Sequence, residues 1–173
     1  MRVLDRNEAS AARRALAVSN ARGEGCCRAD LETSCQAIVT IGFAHAERSL
    51  LLRALVSELL KMQAVWWLMP LYKYFGDTWS QDQWAAVGLP LLTNHVVECS
   101  AEDLAAIVTI LTCHYEDGCF LYLASTDGKL LAFEGPHQVL SVAARRREEA
   151  ELLSVRLHAV GLPHEVHARG SDA

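Results

Sequence analysis

The chain carries none of the short signatures that announce a catalytic or nucleotide-binding site. It has no G-x-G-x-x-G, no G-x-x-x-x-G-K-[ST], no H-E-x-x-H, no G-x-S-x-G and no C-x-x-C. Their absence lowers the expectation of an enzyme without removing it, since many catalytic sites are assembled from residues far apart in sequence. Lysine is scarce: Lys61, Lys73 and Lys129 are the only three, so arginine supplies most of the 16 basic residues. Against 21 acidic residues the formal net charge is −5. Such a chain gains no general attraction to phosphate backbones or anionic lipid, so neither nucleic acid nor a membrane surface is the expected partner. The most apolar stretch, residues 50–72, is broken by Arg53, Glu58 and Lys61, which argues against a membrane span. The first twenty residues contain Arg2, Asp5, Arg6, Glu8, Arg13 and Arg14 and no continuous apolar segment, so no secretory signal is expected. No internal repeat or low-complexity tract is present.

What remains reads as one globular domain over residues 1–173, with 51% hydrophobic and 21% charged residues. Six cysteines permit disulfides, but a chain this apolar does not need them. Cys99, Cys113 and Cys119 sit inside apolar patterns, where cysteine acts as a small hydrophobe. A cytoplasmic protein with reduced thiols is the expectation. The preference for arginine suits a GC-rich bacterial genome.

Local signals predict an α+β fold. Asp5 and Glu8 have the spacing of a capping box for a helix over about 5–20. Residues 21–34 read as a loop, and Ala37–Ile41 as a strand. Residues 44–63 have a helical apolar stripe in Leu51, Leu55, Leu59 and Met62. An aromatic segment follows, then a short helix expected over 81–87 behind Ser80 and Gln83. Residues 1–90 thus read as mainly helical.

The later half predicts a strand at 96–99, then a helix at 101–115 capped by Ser100 and Asp103. Strands follow at 119–125 and 129–133, joined by an Asp127-Gly128 turn. Residues 137–144 are read as a strand through Val139, Leu140 and Val142, the alternative being one long helix over 136–160 opened by Pro136. A helix at 145–160 carries Arg145/Glu149 and Arg147/Glu151 pairs, and Gly161 and Pro163 end it before a last strand at 164–168. The order β-α-β-β-β-α-β over 94–168 resembles a ferredoxin-like antiparallel or mixed sheet with one extra strand, on which the helical N-terminal portion would pack. That architecture hosts many unrelated functions.

Two constellations compete for function. The first is His95, Cys113, His114 and Cys119. A β-α-β unit over 94–125 would bring these to one end of the sheet, where histidine and cysteine suit zinc. Their spacing matches no zinc knuckle, and adjacent positions 113 and 114 point about 100° apart on a helix. With Glu116 as acid or base, His95, His114 and Cys119 would serve a metal- or thiol-dependent enzyme or a small-ligand sensor. His164 and His167 would face opposite sides of a strand and fit a solvated tail better than a ligand pair. Cys26-Cys27 has no histidine nearby in sequence to complete a nucleophile–base pair.

The second constellation is the aromatic segment 66–84, which holds more than half of the chain's aromatics. Trp66, Trp67, Tyr74, Trp79 and Trp84 alternate there with Asp77 and Asp82, and Glu116 and Asp117 add acidity at a helix end. Buried, these rings would form a satellite core. Exposed, they would anchor a basic protein partner, the acids steering its approach. A small acidic domain of this kind has the general character of toxin-neutralising immunity proteins or antitoxins. The expected function is therefore a non-catalytic protein-binding module without cofactor, directed at a basic partner such as a toxin. A subunit whose aromatics bury against a sister chain, forming a homo-oligomer, is the third reading.

Overall fold

The computed structural model describes residues 1–20, 27–42, 48–70, 96–116, 121–135 and 139–169. Their order is β1 (Arg2–Val3), α1 (Arg6–Ala15), β2 (Ser19–Asn20), β3 (Cys27–Arg28), α2 (Leu31–Ser34), β4 (Ala37–Ile41), α3 (Arg48–Met62) and β5 (Trp66–Pro70). Then come β6 (Val97–Cys99), a 3-10 turn (Ala101–Asp103), α4 (Leu104–Glu116), β7 (Leu121–Ser125), β8 (Leu130–Gly135), β9 (Val139–Ala144), α5 (Arg147–Ala159) and β10 (Glu165–Ala168).

Local chemistry explains most of these boundaries. The Asp5 carboxylate accepts from the Asn7 and Glu8 amides at 2.8 Å, and Glu8 reaches back to the Asp5 amide at 2.9 Å. That reciprocal pair opens α1. Asp103 does the same for the second half, accepting from the Ser100 amide at 2.9 Å. Residues 139–144 are a strand, which resolves the choice left open by Pro136. The expected Arg147–Glu151 pair forms at 2.7 Å. The expected Arg145–Glu149 pair is replaced by other partners: Arg145 donates to the Gly128 carbonyl, and Glu149 accepts from the Arg146 amide at the helix start.

Among the described residues, eight strands make one open sheet in the order β1-β6-β5-β7-β8-β9-β4-β10, and every neighbouring pair is antiparallel. The α+β class holds, but the expected division of the chain does not describe this sheet. Residues 1–90 supply β1, β4 and β5 to it. β5 lies between β6 and β7, and β4 lies between β9 and β10. Each helical crossover, through α4 or α5, therefore spans a strand from earlier in the chain.

Both faces of the sheet are covered. On one face α3 contacts α4 and α5. Leu52, Leu55 and Leu59 of α3, Ile107 and Leu111 of α4, and Ala150, Leu153 and Leu157 of α5 form the main core there with Val39, Trp66, Leu68 and Val142. On the other face α1 and α2 bring Ala9, Ala12, Leu16 and Leu31 against Ile38, Met69, Tyr122, Ala124, Leu131 and Ala143. Strands covered on both faces need no polar alternation. That is why Trp66-Trp67-Leu68-Met69 carries no period-2 signal and reads as an aromatic segment in sequence.

Candidate functional site

The expected docking residues separate. Trp66 is fully buried and its indole N–H donates to the Gln63 carbonyl at 3.0 Å, so it is a core residue and no part of an outer surface. The cause is its register: Trp66 pairs with Cys99 on one side and Ser125 on the other, in the interior of the sheet. Trp67 points to the opposite face, where it is partly buried against the second core. Tyr74, Asp77, Trp79, Asp82, Trp84 and Asp117 lie outside the described residues, and Glu116 is the last residue of α4. Cys113 and His114 lie in α4, whereas His95 and Cys119 fall outside the described residues. Among the described residues no group of histidine, cysteine or acidic side chains could hold a metal ion.

Surface chemistry concentrates instead where α5 meets β10. Among the described strands β10 is an edge of the sheet, and all four of its residues are exposed. Two hydrogen bonds fix which backbone groups it presents. Arg145 N–H donates to the Lys129 carbonyl, and Arg169 N–H donates to the Gln36 carbonyl. Antiparallel ladders alternate inward and outward groups. With the registers Leu130↔Ala144, Ala37↔Ala144 and Ala37↔Ala168, the backbone groups of Glu165 and His167 point to β4, and those of Val166 and Ala168 point away from the sheet. Val166 shares the α5 face with its partner Val39, while His167 shares the α2 face with Ile38.

The turn between α5 and β10 is tightly specified. Leu162 N–H donates to the Leu157 carbonyl and Gly161 N–H to that of His158, with Gly161 at φ 70°. This is a Schellman closure, and buried Leu157 and Leu162 supply its apolar contact. Gly161→Ala puts a side chain at positive φ in otherwise open space, so only backbone strain is added. A loss of about 1 kcal/mol is expected in urea unfolding, with no change in the slope.

His164 then clamps strand to helix. Its Nδ1 lies 2.7 Å from the Leu162 carbonyl and its Nε2 lies 2.7 Å from Ser154 Oγ. A carbonyl only accepts, so Nδ1 carries a proton, and with the ring neutral Ser154 donates to Nε2. The pair has the outline of a nucleophile and base. Ser154, however, sits in the body of α5, where neighbouring amides are spent on helical bonds and offer nothing to a developing oxyanion. It is a structural tie.

No family model, curated protein or solved structure matches the chain. Its chemistry must be read from its own side chains. Two thiols, those of Cys35 and Cys99, are unsuited to nucleophilic work. Both are buried and free of disulfides; burial pushes the Cys35 thiol up, and pushes that of Cys99 up to about 12. Glu58 is buried but bound at both oxygens, by Lys61 at 2.5 Å and by Arg156 of α5 at 3.3 Å. It joins two helices. The α5–β10 margin differs from these structural clusters. Five large hydrophobic side chains are exposed among the described residues, and four of them (Leu152, Val155, Val160 and Val166) lie within this one segment. Sequence reading makes 145–160 an amphipathic helix without singling them out. Leu152 and Val155, at i and i+3, are the signal that could have been used.

Proposed function

We propose that this chain is a non-catalytic protein-binding module. The observation that carries the reading is that four of the five large hydrophobic side chains exposed among the described residues fall in α5 and the stretch through β10, a strand at the end of the described sheet. Grouped exposed apolar side chains are characteristic of surfaces that dock other macromolecules. A net charge of −5 favours a basic protein partner, which is the relation an immunity protein or antitoxin has to a basic toxin. Tyr74, Asp77, Trp79, Asp82, Trp84 and Asp117 remain candidates for the acidic and aromatic part of that contact; Trp66 is not one of them. The likeness of 94–168 to ferredoxin-like sheets enters only as architecture. It rests on the order of elements along the chain, and the strands that each crossover spans, β5 and β4, come from outside 94–168.

The test is capture on the immobilised chain, run beside a Leu152→Glu/Val155→Glu variant. Both positions are exposed, so the variant should keep its melting temperature. Basic proteins retained by the wild type and released by the variant are the expected result. Equal retention by the two, or none by either, overturns the reading.

A further inference from the structure

The geometry points to a second copy of this chain as the occupant of the β10 edge, paired antiparallel so that two sheets become one across a two-fold axis at His167. The pairing rests on reading the α5–β10 margin as an interaction surface. It goes further by naming the partner strand and its register.

The ladder leaves Val166 and Ala168 with outward amides and carbonyls. Two antiparallel copies satisfy these groups when Val166 of each chain lies opposite Ala168 of the other, which sets His167 opposite its own copy in a non-hydrogen-bonded pair. This register also places Glu165 opposite Arg169 twice, once on each side of the axis. Glu165, His167 and Arg169 all lie on the α2 face, where Arg169 already reaches the Glu32 carbonyl at 2.9 Å. Val166, which is 41% exposed, becomes covered by the partner's Ala168 on the α5 face. The strand is thus self-complementary in hydrogen bonds, charge and side-chain size. The opposite edge is closed to the same use. β1 is two residues long, too short to build a ladder of this kind.

Sedimentation over a nanomolar to high-micromolar range tests the proposal, with expected passage from one chain mass to twice that mass. Glu165→Arg and Arg169→Glu each put like charges across the axis and should hold the protein at one chain mass. The double variant restores opposite charges and should restore the dimer. One chain's own Glu165 and Arg169 are about 13 Å apart along the strand, so rescue within a monomer is not available. His167→Cys gives an independent readout: mild oxidation should join the two copies of the substituted strand by a disulfide, seen by mass spectrometry as a symmetric cross-linked peptide. A wild type that stays monomeric throughout overturns the proposal. So does a dimer indifferent to both single charge reversals, or one that gives no such symmetric link. Because Leu152 and Val155 are not in this pairing, a monomeric chain that still retains a basic partner through them overturns the dimer and leaves the protein-binding reading standing.

Discussion

Trp66→Ala is expected to destabilise the fold by about 3–5 kcal/mol, the range for removing a large buried aromatic side chain. The side chain is fully buried in the main core with Leu55, Leu59 and Leu123. Its strand is paired on both sides, to Cys99 and to Ser125, so the surroundings cannot collapse inward without moving a ladder. The indole N–H bond to Gln63 is lost as well. In a domain of this size such a loss corresponds to a melting temperature lower by about 10 °C. Differential scanning calorimetry would read it. A docking tryptophan gives the opposite pattern, an unchanged melting temperature with weakened binding, and a shift under about 3 °C would return Trp66 to the surface.

Ser125→Ala should cost about 2–3 kcal/mol despite removing a single oxygen. Ser125 is buried at the end of β7, where its Oγ accepts from the Leu130 amide at 2.9 Å and the Lys129 amide at 3.0 Å. It donates to Asp127 at 2.8 Å. Lys129 N–H keeps a second acceptor in Asp127 at 3.1 Å, but the buried Leu130 amide is left with none of these side-chain partners. The same hairpin carries an acid dependence. Burial pushes the Asp127 carboxyl up, but the Lys129 ammonium, the Ser125 hydroxyl and the Lys129 amide together outweigh it and hold the group below its ordinary value. A lowered folded value means that the unfolded chain binds the proton more readily. The stabilisation is therefore complete above about pH 4, the unfolded carboxylate range, and fades as pH falls through the folded value. Urea titrations at several acidic pH values should show the difference between wild type and Ser125→Ala narrowing there. A difference that widens with acidity would contradict this linkage.

The elements legible in the sequence are those specified by neighbours. Asp5 with Glu8 and Ser100 with Asp103 announce two helix starts, and Gly161 announces an end, because caps are satisfied within three or four residues. Val139, Leu140 and Val142 identify β9 by composition. β5 escapes such reading because a strand covered on both faces loses its alternation, and Pro70 at its end resembles a break. The order of the sheet is not legible at all. Nothing local in Ala37–Ile41 says that its neighbours are β9 and β10. The candidate site follows the same division. Aromatic richness suggests a surface at Trp66, but burial is decided by pairing partners from distant segments. The unpaired edge at β10 becomes visible only once all eight strands have places.

That placement also constrains how the protein can fold. β4 and β5 are each flanked on both sides by strands made later in the chain, so Ala37 must wait for Ala144 and Trp66 for Ser125. Loop closures of this length come before the contacts that reward them, which slows folding and leaves apolar strands unpaired meanwhile. Helix α3, whose bonds are local, is the element free to form early and to shelter both strands on one side. No single cut between the two halves leaves either with an uninterrupted sheet. The unit that folds is the whole interleaved array, and refolding yield should fall as protein concentration rises.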